Sequence, residues 1–487
     1  MSSDETTRNS LGDLDGAEFR ARLHEVADWI ADYRQTIETR RISPQDPPGA
    51  IASRLPASAP SEPESLDAIL EDFERIVVPG LVHWGHPSFF GYFGSTTTAP
   101  GILGEMICAA LNVSAMTWRT SPEATELETV VLGWLRQMLG LPENQQGIVY
   151  DTASVATLHA LAAAREALGL EVRQAGLAGR RDLPRLRIYA SDEAHSSIDK
   201  AAVTLGIGEE NVVRIATDAE FRMVPAALEA EMLKDLAEGH RPCAVVATVG
   251  TTSSTSVDPV EEIAAICHKH GVWLHVDAAY GGAMALLPEG RWAMAGTGAA
   301  DSIVVNPHKW LFVPLDFSAL YTRRPEMLRA VFALTPEYLR GDASGAAENY
   351  MDYGIQLGRR FRALKAWMVF RTFGEEGLRA RIREHVRLAR LLASWIEADA
   401  SFELRAPVTM AVVCFRVRPS GIDDNRIDIL NEALVKAVNA TGEAYLTHTQ
   451  LRGRTVLRLA IGNILTTEQH VAACWQLIRG VAAQSEI

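Results

Sequence analysis

The sequence has few cysteines, little clustered positive charge and no long unbroken apolar run, and each shortage excludes something. The five cysteines, at 108, 243, 267, 414 and 474, form no CxxC pair. Their odd number and wide spacing argue against a disulfide framework or a zinc site and suit a reducing compartment. A formal charge of −14 disfavours nucleic acid or an anionic membrane as a main partner, since both need clustered cations. The densest basic patch, RRDLPRLR at 180–187, reads as a solvated loop. No apolar stretch is long enough to span a membrane, and the polar, acidic start MSSDETTRNSLGDLDG is no signal peptide, so the expected location is the cytoplasm. What is present, 47% hydrophobic and 22% charged residues over 487 positions, is the composition of a soluble globular protein too long for one ordinary domain.

Three regions differ in pattern. Phe19, Leu23, Val26, Ile30, Tyr33 and Ile37 recur at steps of four and three, which is an apolar stripe on a helix. That helix precedes any visible core, so its stripe has to be buried on something distant or on another chain. A connector rich in Pro, Ser and Ala follows, SPQDPPGAIASRLPASAPSEPES. From about residue 100 to 370, strands alternate with helices. AVVATVG, then DPVEEIAAICHKHG, then VWLHVD reads as strand, helix, strand, with Asp258 as the helix N-cap, Pro259 at its first position and Gly271 closing it. RLRIYA and DSIVVN look like further strands. Such units build parallel sheets, so the fold class is α/β. Beyond about 374 come a long helix, short strands AVVCFRV and TVLRLAI, and a terminal helix opened by a capping box from Thr466 to Gln469, which reads as a small α+β domain. The expected divisions are residues 1–98, 99–373 and 374–487.

The ends of the expected strands collect polar residues, where ligands bind in open α/β sheets. Asp277 ends one strand and Lys309, in VVNPHKWLF, follows another. A lysine amine and a carboxylate at two such ends are what a pyridoxal phosphate enzyme needs. The amine bonds the aldehyde, and the carboxylate keeps a proton on the pyridine nitrogen. Thr152, Ala153 and Ser154 lie where an apolar strand gives way to a helix, a place suited to a phosphate. His195, in DEAHSS, follows a strand and precedes a helix, where an imidazole either stacks on a flat cofactor or serves as a local hydrogen-bonding residue.

Taken together, NPHKW, HVDAAYGG, DEAHSS, YDTAS, SPEATELE and LGRRFRALKAW resemble the pyridoxal phosphate-dependent group II decarboxylases, and among them the aromatic L-amino acid decarboxylases. The resemblance runs in order from about Phe19 to the C-terminus. It implies the aspartate aminotransferase-like fold type I, with a mostly parallel central sheet, a small C-terminal domain, and N-terminal helices that wrap a partner subunit in a homodimer. It implies Lys309 as the lysine that carries the cofactor, Asp277 on the pyridine nitrogen, Ala279 and His195 on the two ring faces, and Thr152, Ala153, Ser154, Thr252, Asn306 and His308 as further cofactor contacts. It implies a side-chain pocket that includes Trp84, Tyr92, Phe93, Ser95, Met116 and Gly358, with Gly358 leaving room for rings as large as indole. Tyr338 matches the loop tyrosine that protonates the α carbon. No metal is implied. The implied reaction is conversion of an aromatic L-amino acid to its amine and carbon dioxide. The alternatives are an aldehyde synthase on the same fold, a decarboxylase of a non-aromatic amino acid, and a catalytically silent dimeric scaffold.

Overall fold

A computed structural model describes residues 13–334, 348–419 and 421–484. The chain divides after Pro87 into two units.

In the N-terminal unit the helix Gly16–Thr36 is capped by Asp15, whose carboxylate accepts from the amides of Ala17 and Glu18 at 2.8 and 3.0 Å. None of the helix is buried, and the stripe residues Phe19 and Leu23 are 56% and 42% exposed. Further along the stripe, Trp29 stacks on Tyr33, and Tyr33 hydrogen-bonds His83. The Pro-rich connector holds a single short turn, Ala52–Arg54, before the helix Leu66–Asp72 begins at the cap Ser65.

The second unit is built on a seven-stranded sheet. Its strands are β1 (Gln146–Tyr150), β2 (Leu186–Ser191), β3 (Val212–Ile215), β4 (Arg241–Thr248), β5 (Trp273–Asp277), β6 (Ser302–Val305) and β7 (Ser318–Thr322). They lie in the order β1-β7-β6-β5-β4-β2-β3. Neighbours from β3 across to β6 are parallel, and β7 runs against both β6 and β1. Only β7 therefore runs backwards, and β1, β2, β4, β5 and β6 all end at one edge. Both sheet faces are covered. Along β4 and just beyond it, Val245, Ala247 and Val249 join one core while Ala244 and Val246 join the other, the alternation a strand imposes. With both faces apolar, the strand reads as one continuous aliphatic run.

A second, antiparallel sheet holds β8 (Phe402–Leu404), β9 (Val412–Val417), β10 (Thr447–Leu451) and β11 (Arg454–Ala460), in the order β10-β11-β9-β8. It follows the long helix Ala363–Glu397, which breaks at Gly374, φ 63°. The division at Pro87 falls earlier than residue 98, because Phe90 is tied into the second unit. Its amide donates to Tyr445 O, and its carbonyl accepts from Ala460 N.

Two expected caps differ. Asp258 does not cap the helix Val260–His270; it is buried, and its carboxylate accepts from Met223 N at 2.7 Å and Thr248 N at 2.8 Å. Two amides from other parts of the chain have outcompeted the local ones. The terminal helix opens at Glu468, and Thr467, not Thr466, meets the N3 side chain, His470.

Four buried histidines hold neutral hydrogen-bonded positions. His385 accepts from Trp310 Nε1 and donates to Asn463 O. His308 accepts from Phe317 N, His159 accepts from Ile355 N, and His275 sits between Ser302 and Thr157. Burial pushes His159, His275 and His385 down to about 4 and His308 to about 3. The unfolded chain takes up these protons near pH 6.5 and the folded one does not. The stability they contribute is therefore present above about pH 6.5 and is lost as the pH falls towards 4. Chemical denaturation at stepped pH should show stability dropping steeply across this window, by about 1.4 kcal/mol per pH unit for each histidine at most. A flat profile there would contradict the neutral burial.

Candidate active site

The shared edge of the sheet is where the predicted residues gather. Asp277 is the last residue of β5 and pairs in register with Thr248, the last of β4. Its Oδ1 accepts from Ala279 N at 3.0 Å, which folds the chain back on itself directly after the strand. Asn306, just past β6, donates its amide to Ala279 O at 3.1 Å, so the two strand ends are stitched together. A single helical turn, Pro307–Trp310, then carries Lys309. Its neighbours hold that turn from below. Asn306 Oδ1 accepts from Ser318 Oγ at 2.6 Å, and His308 Nδ1 accepts from Phe317 N at 3.0 Å.

The Lys309 amine lies 5.0 Å from the centre of the Phe93 ring. Phe93 stacks on Tyr280 at 3.9 Å, and Tyr280 stacks on Trp310 at 4.6 Å. This aromatic pile lies beside the amine, on a lysine whose side chain as a whole is half-buried. Burial pushes the Lys309 ammonium below its ordinary range; the Asp277 charge opposes that shift and the Arg458 charge adds to it. His195 feels the charges of Asp277 and Lys309 and is likewise pushed down, chiefly by burial, towards the neutral imidazole. Its Nδ1 accepts from Ser197 N at 3.1 Å, which leaves the proton of the neutral ring on Nε2.

Arg458, on β11, was not anticipated. It is 4% exposed, and its guanidinium lies 4.6 Å from the centre of the Phe93 ring. It donates to Thr252 O at 2.9 Å and to Tyr92 O. The Thr252 carbonyl is thus engaged by the arginine, and so is that of Tyr92, which takes a left-handed φ of 53°. The signal in the sequence was an arginine inside the apolar run TVLRLAI, a placement that needs a buried partner.

Four polar atoms here are buried without a hydrogen-bond partner: Arg458 Nη2, Tyr280 Oη, Thr248 Oγ1 and Ser191 Oγ. Such groups are costly unless something polar meets them. Thr248 and Ser191 end β4 and β2 at this same edge. At the end of β1, Thr152 caps the helix Ala153–Glu166, its hydroxyl accepting from Val155 N. The amides of Ala153 and Ser154 fall in the first turn, where no helix carbonyl can serve them. A buried amine, a carboxylate, a flat neutral imidazole, unmet polar groups and a helix N-terminus at one edge fit pyridoxal phosphate, ring and phosphate alike.

The other predicted residues are distributed as follows. Ser95 is half-buried. Met116 and Gly358 form a second group on adjoining segments, joined by the Ala115 N to Arg359 O bond of 2.8 Å. No atom lies within 4 Å of where a side chain on Gly358 would begin. Trp84 belongs to the N-terminal unit and is 40% exposed. Tyr338 lies outside the described residues.

Residues 48–418 match the pyridoxal-dependent decarboxylase conserved domain. The chain is 41% identical over 483 residues to the aromatic-L-amino-acid decarboxylase of Sus scrofa, covering 97% of each. It is 40% identical over 483 residues to a phenylacetaldehyde synthase of Arabidopsis thaliana, again covering 97% of each. Among solved structures, Oryza sativa TDC with PLP and tryptamine superposes with a TM-score of 0.93 at 38% identity, covering 97% of this chain and 99% of that one. The protein belongs to the pyridoxal-dependent decarboxylase family. Its two sheets are those of fold type I, the aspartate aminotransferase-like architecture, and its cofactor is pyridoxal 5'-phosphate.

The turn after Asp277 depends on a close approach. A Cβ on Gly281 would stand 2.4 Å from Val249 O and 2.8 Å from Val249 C, both backbone. Val249 N in turn donates to Asp277 O. Gly281→Ala should therefore destabilise the protein by about 1–3 kcal/mol and weaken cofactor binding, as thermal melts with and without pyridoxal phosphate would show. Gly358→Ala, which meets open space, is the control and should melt with the parent. Parent-like melts for Gly281→Ala would refute the tight crossing.

Proposed function

We propose that the protein decarboxylates aromatic L-amino acids, tryptophan and tyrosine among them, to the amine and carbon dioxide. The observation that carries this is a desolvated lysine amine beside an aromatic pile and facing the Asp277 charge, in a chain similar over its whole length to an aromatic-L-amino-acid decarboxylase and a phenylacetaldehyde synthase. When bound, pyridoxal phosphate supplies an aldehyde that captures amines and a ring that accepts the electron pair of the broken C–C bond.

The chain's own residues have the following roles. Lys309, depressed by burial, is more readily the free amine, the form able to attack a carbonyl. Asp277, anchored through Oδ1 by the Ala279 amide, holds a proton at the pyridine nitrogen. His195 presents a flat, neutral ring whose orientation the Ser197 amide sets, and Ala279 offers a small face opposite. The cap at residues 152–154 holds the phosphate, with Asn306 and His308 keeping the lysine turn in place. Arg458 has an unmet, buried donor, which suits the substrate's carboxylate and can orient it. Phe93 and Tyr92 contribute apolar wall, and Ser95, Met116 and Gly358 complete the side-chain site.

We further take the working form to be a homodimer, supported by the uncovered apolar residues Phe19 and Leu23 of the N-terminal helix. The free cysteines at 108, 243, 267, 414 and 474 suit the reducing cytoplasm.

The direct test is an amine and carbon dioxide assay on the protein loaded with pyridoxal phosphate, over a panel of L-amino acids. Aromatic members should react, and Lys309→Ala should lose multiple turnover while remaining folded. Activity confined to acidic or aliphatic amino acids, or sustained turnover by the alanine variant, would sink the reading. The rival aldehyde synthase is separated at Tyr338. We expect the parent to release amine, and Tyr338→Phe, which keeps the ring but has no proton to give the α carbon, to shift product towards aldehyde, with dissolved dioxygen as the oxidant reduced to measurable peroxide and the nitrogen released as ammonia. Aldehyde as the parent's main product would favour the synthase.

A further inference from the structure

Two of the sequence motifs, SPEATELE and LGRRFRALKAW, meet at a point outside the Lys309 group. Glu128, on the helix Pro122–Met138, and Arg359 are 1% and 6% exposed. They pair at two points, Arg359 Nη2 to Glu128 Oε1 at 2.6 Å and Nη1 to Oε2 at 3.1 Å. Taking both charges out of water is expensive, and attraction alone seldom repays it unless the remaining donors and acceptors are also met. Here they are met by backbone. Glu128 Oε1 also accepts from Val149 N at 3.1 Å. The guanidinium donates to Val149 O at 2.8 Å and to Ala115 O at 3.1 Å.

These contacts join separate parts of the proposed site. Val149 lies on β1, just ahead of the phosphate cap at residues 152–154. Ala115 precedes Met116, and Arg359 follows Gly358. The Arg359 backbone is bonded back to the same loop, accepting from Ala115 N and donating to Ser114 Oγ at 3.4 Å. Tyr350 covers the guanidinium at 4.8 Å from its ring centre, and its hydroxyl bonds Thr129, next to Glu128. Met351 N donates to Met116 O at 3.1 Å, closing the ring of contacts. A well-packed apolar pair of the same volume could match this one in stability. It could not capture two carbonyls and an amide in fixed directions.

We infer that the Glu128–Arg359 pair is a positioning clamp that registers the phosphate cap against the Met116 and Gly358 segments, so that cofactor affinity and side-chain selectivity are set by one buried ion pair. The inference rests on the function proposed above. Neither residue touches the reacting atoms; both act through β1 and the two pocket segments. The pair is out of water, so added salt should leave its effect unchanged.

The test separates positioning from simple stability. Arg359→Met leaves Glu128 buried and unpaired and should lower the Tm markedly. The double variant Glu128→Gln with Arg359→Met removes both charges and should recover most of that Tm. If the pair is a clamp, the double variant still releases pyridoxal phosphate more readily. Its dissociation constant, read by absorbance titration of the apoprotein, should rise roughly tenfold, the worth of one charge-assisted hydrogen bond. Its kcat/KM ratio for tryptophan over tyrosine should also shift by roughly tenfold, the range a misfitted pocket produces. A double variant that recovers Tm, cofactor affinity and selectivity together would overturn the inference and leave the pair a packing element. Should the double variant not fold, Arg359→Lys keeps the charge but loses the two-point geometry. It should bind cofactor more weakly and shift the same ratio, and parent-like values for both would also overturn the clamp. A parent enzyme inert on every aromatic amino acid while still titrating with pyridoxal phosphate refutes the proposed substrate class, and the clamp then stands or falls on the dissociation constants alone.

Discussion

Keeping a primary amine out of water is the constraint on which the second unit depends. In solvent a lysine is an ammonium ion and has no lone pair to offer. Burial removes the proton more readily, but an unsupported buried cation would pull water in or swing outward. Lys309 is prevented from doing either by its surroundings. Phe93, Tyr280 and Trp310 form a pile beside it, and Trp310 is fixed from behind by His385, which is itself bonded to Asn463 O. Asp277 pulls the amine towards its charged form, yet desolvation outweighs that pull and the Arg458 charge adds to desolvation. The parallel strands matter for the same reason. Their shared carboxyl edge brings the Asp277 anion within reach of the Lys309 amine, and Arg458 of β11 adds its charge from the second sheet.

How much of this could be read from the sequence follows from how local each signal is. Lys309, Asp277 and Thr152 each sit immediately after an aliphatic run, so the strand and its polar terminus are visible in a single short window. The antiparallel β7 and the Arg458 contact are not visible that way, because each depends on what lies beside a strand and not on what precedes it. Asp258 shows the same limit from the other side. Its setting, followed by proline and two glutamates, has every local mark of a helix cap, but amides from Met223 and Thr248 reach it in the folded chain. The stripe from Phe19 was legible as a helix face; an exposed face in one chain is as much as a single sequence can specify.

The site thus falls into two groups with different tolerances. Around Lys309 nearly every atom is stitched to another, from Asn306 and Ser318 below to the Ala279 turn at the side. Around Met116 and Gly358 the backbone is held while a side-chain position is left bare.

That last contrast has a consequence for how such proteins diverge. Gly358 and Arg359 are adjacent, yet one borders free space and the other is locked on both its side chain and its backbone. A side chain added at the first enters open space without moving the scaffold, whereas a mutation at the second moves the scaffold itself. The first position can therefore vary among related chains at little structural cost, and the second cannot.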